Sequence, residues 1–378
     1  MADYDSLSDF LVPVNKSEIS GDTGYKNGQL GNYIIVHENG LPDIQAADII
    51  FLGCSEQRGS MLRNTDNESL LLLRRELYKL YFWHNQLVLA DLGDIALGAT
   101  LQDTYAALRT VIGELLRLGK TVIILGASHD LTLAQYQAHT AGRQSIDACC
   151  VDALLDIDIE EPLRRDNFLM EMLTGEPNFI RQYNHIGFQS YYVHPRMLET
   201  MDKLRFDCFR VGKVKEQIEE MEPVIRNTAL FSFDLSAIAH AYCAAGAVSP
   251  NGLTGEEACT LMKYAGMSPQ LGSAGIYGYD SSGDPDGMSA RQISQMIWYF
   301  IDGKASARRE SDLRNREDFI EYNTSFTELE TTFLQSKKTG RWWMRLSGEE
   351  YIACSYNDYL LARSNEIPER WLRARERS

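Results

Sequence analysis

The chain has 378 residues, 44% hydrophobic and 24% charged, which is enough apolar side chain for one large core or two smaller ones. With 53 acidic against 37 basic residues its formal net charge is -16, a field that repels phosphate backbones and anionic headgroups, so neither nucleic acid nor a membrane is an expected partner. Scattered cysteines, an acidic start (Asp3, Asp5, Asp9) and the absence of an uncharged apolar span lead us to expect a reduced, cytoplasmic setting.

In chain order, an N-terminal segment over 1–44 precedes alternating short apolar runs and helical patterns. Strands are predicted at Ile49 to Gly53, Thr121 to Gly126, Ile146 to Val151, His185 to Phe188, Ala229 to Phe233 and Ser273 to Tyr279. Helices are predicted at Ser69 to Trp83, at Leu101 to Leu116 ending near Gly119, and at Arg291 to Phe300. Thr254-Gly-Glu-Glu257 has the form of a capping box that opens another helix, which ends before Gly266. The alternation predicts a three-layer αβα domain over 45–303, with a largely parallel, doubly wound sheet. A charged linker is expected over 304–316. A C-terminal appendage then follows over 317–378: a hairpin turning at Lys337-Lys-Thr-Gly340 and a helical stretch broken at Pro368.

Functional groups in such a sheet gather beyond the carboxyl ends of the strands. His129 follows one strand end, Asp152 and Asp156 follow another, and Asp234 closes a third. One imidazole and three carboxylates would thus meet at one sheet edge, a donor set suited to a hard or borderline divalent ion such as manganese. Taken singly, each Asp is more readily a cap or a turn former.

The motifs carrying these residues are Gly126-Ala-Ser-His129-Asp130, Asp152-Ala-Leu154-Leu-Asp156 and Ser232-Phe-Asp234-Leu-Ser236, followed by Ser249-Pro-Asn-Gly-Leu-Thr254. In this order the chain resembles the ureohydrolase superfamily of arginases, agmatinases and formimidoylglutamases over roughly residues 45 to 303, and looks closest to the formimidoylglutamase-like branch. The resemblance implies metal-assisted hydrolysis of an amidine or guanidino carbon, with two manganese ions activating the attacking water. It assigns one ion to His129, Asp152, Asp156 and Asp234, of which Asp156 and Asp234 are carried over as catalytic. The second ion of the family requires an imidazole at the position of Leu154 and a carboxylate at that of Ser236. The substrate-gripping glutamate aligns with Gly278. At most one divalent ion, manganese, or none is therefore expected.

Two alternatives remain from sequence: a degenerate relative whose family reaction is lost or altered, which is favoured, or an active hydrolase using one ion on a small amidine or guanidino compound. A homo-oligomer is expected by analogy with relatives. His185, His194 and His240 are further candidates for ligand or acid–base roles, His240 being the best placed. Cys54 at a strand end is expected to be a buried small residue. Trp342-Trp343, with Tyr322, Phe326 and Phe333, are expected to attach the tail to the main domain, with a self-association or partner surface as the alternative.

Overall fold

The computed structural model describes residues 5–21, 24–60, 68–158, 163–327 and 329–377. Asp3, part of the acidic start, lies outside them. Ten strands form the main sheet: β1 (Leu11–Val12), β2 (Ile35–Val36), β3 (Ile49–Cys54), β4 (Leu89–Ile95), β5 (Thr121–Gly126), β6 (Ile146–Val151), β7 (Ile180–Phe188), β8 (Asp207–Arg210), β9 (Leu230–Asp234) and β10 (Ser273–Tyr277). Their order is β1-β4-β3-β5-β10-β9-β6-β7-β8, with β2 also on β4; β1 runs antiparallel to β4 and the other pairings are parallel.

Central strands such as β5 are buried along their whole length, which is why they read as continuous apolar runs. Each sheet face carries its own core. One is built with helices Glu68–Tyr78, Gly255–Gly266 and Met288–Ala307, the other with Leu101–Arg117, Leu131–Thr140 and Arg164–Thr174. The capping box at Thr254 and Glu257 forms as expected. Helices Gly255–Gly266 and Met288–Ala307 pack backbone to backbone: a Cβ on Gly266 would stand 2.1 Å from the Phe300 carbonyl oxygen, and one on Gly303 2.2 Å from that of Lys263.

The structure departs from the sequence expectations in several places. Strand β4 was not predicted, because Asp91 and Asp94 interrupt its apolar pattern; both carboxylates are buried against Arg74 at 2.8 and 2.7 Å. Strand β7 begins at Ile180, since Arg181 and Gln182 spend their polarity on Asp147 and Asp207. The helix expected to reach Trp83 stops at Tyr78, and Tyr81 instead bridges to Gln29. Residues 304–307 of the expected linker continue helix Met288–Ala307. The tail is a four-stranded antiparallel sheet, not a lone hairpin: β11 (Phe319–Phe326), β12 (Leu329–Ser336), β13 (Trp342–Ser347) and β14 (Glu350–Cys354) pair in chain order. The turn at 337–340 lies between β12 and β13, and helices Tyr356–Arg363 and Glu369–Arg377 flank Pro368.

The adjacent tryptophans of β13 face opposite ways. Trp343 packs with Phe319 and Leu334, and the Arg226 guanidinium of the main domain lies 4.6 Å over its ring. Trp342 stacks on Tyr322 and Tyr359, at 5.0 and 5.3 Å between centroids, in a core under the last two helices. Attachment to the main domain therefore falls to Trp343, while Trp342, Phe326 and Phe333 hold the appendage together. Among the described residues, no helix is long and apolar enough to cross a membrane.

Candidate metal centre

Strands β5, β10, β9 and β6 are neighbours, so the residues that follow them converge. His129 lies between β5 and helix Leu131–Thr140, its ring held edge-on by Phe168 at 4.9 Å between centroids. Its Nδ1 is 2.8 Å from Asp156 Oδ2, 3.0 Å from Asp152 Oδ2 and 3.7 Å from Asp234 Oδ2. The four residues singled out at the strand ends thus meet at one point, and His129, Asp152 and Asp156 are buried there.

The separations of His129 Nδ1 from Asp152 and Asp156 suit donors to one ion, with Asp234 farther out. Neighbouring donors around an octahedral cation lie roughly 3 Å apart for bonds near 2.1 Å. The outward oxygens of two carboxylates are committed elsewhere. Asp152 Oδ1 accepts from the Ser236 hydroxyl and from the Leu154 backbone N–H at 3.0 Å. Asp234 Oδ1 accepts from the Ser236 N–H at 2.8 Å. The residues at the two replaced positions therefore turn both carboxylates toward the His129 side.

In the absence of an ion, protons balance the charge. Burial alone would lower the basicity of His129, but the adjacent thiol and the hydrogen bonds to Asp152 and Asp156 hold it well above the ordinary imidazole range. Burial would raise Asp152, yet the His129 hydrogen bond and charge bring it down to about 2. Burial, reinforced by the charge of Asp152, lifts Asp156 far above the usual carboxylate range and Asp234 to about 6.

On its other edge, His129 Nε2 is 2.9 Å from Ser232 Oγ, which is 2.8 Å from Thr132 Oγ1, and 3.6 Å from Cys150 Sγ. Sequence reasoning missed Cys150. The available signal was its place two residues before Asp152, the period-two spacing that sends both to one side as the chain leaves β6.

Gly278 has φ +90, and a Cβ there would stand 3.3 Å from Asp234 Oδ2. A side chain at that position is strained, and none is present to grip a substrate. His185 is buried, its Nε2 3.3 Å from the Asp152 carbonyl oxygen; burial lowers it to about 4, so it is a neutral structural group behind the site. His194 caps helix Pro195–Lys203, accepting from the Arg196 N–H at 3.1 Å, and His240 is exposed. Neither joins the cluster. Cys54 is fully buried, and burial pushes its thiol up to about 12.

The arginase family model matches residues 62–302. A sequence search of curated proteins finds no match. Among solved structures, formiminoglutamase of Trypanosoma cruzi with Mn2+2 is 18% identical, with a TM-score of 0.64 over 70% of this chain and 96% of its own. Formimidoylglutamase from Bacillus subtilis is 17% identical, with a TM-score of 0.64 over 73% of this chain and 92% of its own. Agmatine ureohydrolase of Thermoplasma volcanium is 18% identical, with a TM-score of 0.61 over 76% and 97%. These structures share the central fold, and they carry no counterpart of the whole chain. A mostly parallel sheet with helices on both sides, the ordered strand-end motifs and the matched family model together place the chain in the arginase family.

Proposed function

We propose that this protein is a formimidoylglutamase-like member of the family in which the two-ion reaction is lost or altered, and which holds at most one divalent ion. The observation that carries this is the engagement of Asp152 Oδ1 by the Ser236 hydroxyl and the Leu154 N–H. A second ion at this edge would lack the imidazole and carboxylate replaced by Leu154 and Ser236, and would meet Asp152 Oδ1 already accepting from the Ser236 hydroxyl.

His129 Nδ1 and the Oδ2 atoms of Asp152, Asp156 and Asp234 would hold the one ion. A divalent cation in such a site polarises bound groups and lowers the pKa of water. The chain's own residues supply a buried carboxylate cage, with Ser232 fixing the far edge of the imidazole. They supply no side chain at Gly278 to orient an amidinium. Loss of the second ion and of substrate orientation together removes several kcal/mol of transition-state stabilisation. A homo-oligomer remains part of the proposal by family analogy, and the net charge of -16 makes nucleic acid a poor partner.

The test is release of ammonia, formamide or urea from a panel of formimino and guanidino compounds, with and without added manganese. We expect no turnover above the uncatalysed background. Metal-dependent turnover at rates of ordinary enzymes, on the order of 1 per second or faster, would establish instead a one-ion amidine hydrolase.

A further inference from the structure

We propose that a buried relay of three hydroxyls and one amide, Ser232, Thr132, Tyr277 and Gln135, positions this half-site: it holds the His129 hydrogen on Nε2 and so leaves Nδ1 as the ligand atom facing the carboxylates. This rests on the one-ion reading above. Thr132 and Gln135 lie one turn apart on helix Leu131–Thr140 and meet residues of β9 and β10. All four relay residues are 2% exposed or less. Two glycines make room for the central one: a Cβ on Gly126 or on Gly275 would stand 2.3 Å from the Tyr277 ring. Apolar side chains would fill this interface with no hydrogen bonds to satisfy. A satisfied polar chain instead imposes one arrangement on the imidazole at its end.

The direction of the relay follows from its anchor. Gln135 Nε2 is 3.1 Å from the Phe231 carbonyl oxygen and 2.8 Å from Ser273 Oγ. A carbonyl oxygen only accepts, which fixes the amide nitrogen at that end and turns Oε1 toward Tyr277. The Tyr277 hydroxyl therefore donates to Oε1, at 2.8 Å. With its own hydrogen committed, it accepts from the Thr132 side chain, which hydrogen-bonds to it. Thr132 in turn accepts from Ser232 at 2.8 Å, and Ser232 accepts from His129 Nε2 at 2.9 Å. Nε2 thus carries hydrogen. On the other side of the ring, Nδ1 lies 2.8 Å from Asp156 and 3.0 Å from Asp152. A hydrogen-bonded partner on the far nitrogen orients a metal-binding imidazole and raises the basicity of the ligand atom.

The experiment measures manganese binding by the full-length protein from the electron paramagnetic resonance signal of free Mn(II). Thr132→Val keeps the shape and removes the hydroxyl. Ser232 is then free to donate to Nε2, which moves the imidazole hydrogen to Nδ1, where the ion would bind. We expect affinity to fall by on the order of 10-fold, and Thr132→Ser to retain it. Tyr277→Phe, which keeps the ring, should weaken binding in the same sense, and it decides the matter if Thr132→Val folds poorly. Ser273→Ala removes a bond beyond the amide, which Phe231 still anchors, and should leave affinity unchanged. Nitrogen-15 spectra of histidine-labelled protein loaded with zinc, a diamagnetic probe ion, should place the His129 hydrogen on Nε2. Wild-type affinity in both Thr132→Val and Tyr277→Phe, an equal loss in Ser273→Ala, or a His129 hydrogen on Nδ1 would overturn the relay and leave the half-site standing. Failure of the wild-type protein to bind manganese would overturn the half-site itself.

Discussion

On the proposed one-ion reading, Leu154 and Ser236 stand where a second ion would need donors, and the Ser236 hydroxyl donates to the second oxygen of Asp152. Replacing both, Leu154→His with Ser236→Asp, removes the Ser236 hydroxyl from that oxygen, keeps the backbone N–H of residue 154 on it, and restores two donors. We expect metal analysis of the double variant to find two manganese ions per chain, and each single variant to find no more than one. A further prediction concerns His139, whose Nε2 lies 2.8 Å from Ser273 Oγ and which burial lowers to about 4. Its unfolded form takes up a proton near pH 6.5, before the folded form does. Its contribution is therefore complete above pH 6.5 and is lost as pH falls toward 4, at a cost of about 2 kcal/mol by pH 5 and roughly 3 kcal/mol by pH 4. His139→Gln should flatten that acid limb in chemical denaturation measured at pH 7 and pH 5. The four clustered residues were legible in the sequence because each ends or follows an apolar strand, and a parallel sheet sends such ends to one edge. Cys150 was barely legible, since a thiol inside a buried strand looks like any other small core residue; beyond its spacing from Asp152, it is the position of His129 in space that sets it apart.

At the scale of elements, helices Gly255–Gly266 and Met288–Ala307 touch through main chain at Gly266 and Gly303. Alanine is ordinarily the better helix former by about 1 kcal/mol. At Gly303 the sign reverses, because the new methyl meets the Lys263 carbonyl oxygen and the helices must separate. Gly303→Ala should lower stability by roughly 1–3 kcal/mol, read as a reduced denaturation midpoint. Periodicity revealed these helices and the central strands because one face or both faces of each are apolar. It failed for β4, where Asp91 and Asp94 break the pattern and Arg74 on helix Glu68–Tyr78 compensates for them across the interface. It failed also for β8, a half-buried edge strand of four residues with little apolar signal. Pairings made far along the chain leave no local mark.

Over the whole molecule, a buried ionic seam joins the appendage to the αβα unit. Arg226 donates to Glu222 at 2.9 Å and to the Trp342 carbonyl oxygen at 2.6 Å, and Arg341 Nε is 3.0 Å from Glu310. Arg226→Ala strips Glu222 of its nearest cation and Trp343 of its guanidinium cover. We expect a loss of about 3 kcal/mol and, in place of one cooperative transition, a separate early change in tryptophan fluorescence from the tail. The aromatic content of the tail was visible in the sequence; its division between two packing jobs was not, because that depends on which way each ring points. In β13 the two indoles stand side by side along the chain and serve different masters, one inside the tail and one at the seam. Deleting or inserting a single residue in that strand would exchange their roles, driving each ring into the wrong interior. The indole pair thus works as an alignment key: length changes should be accepted at the 348–349 turn and rejected within Trp342–Ser347.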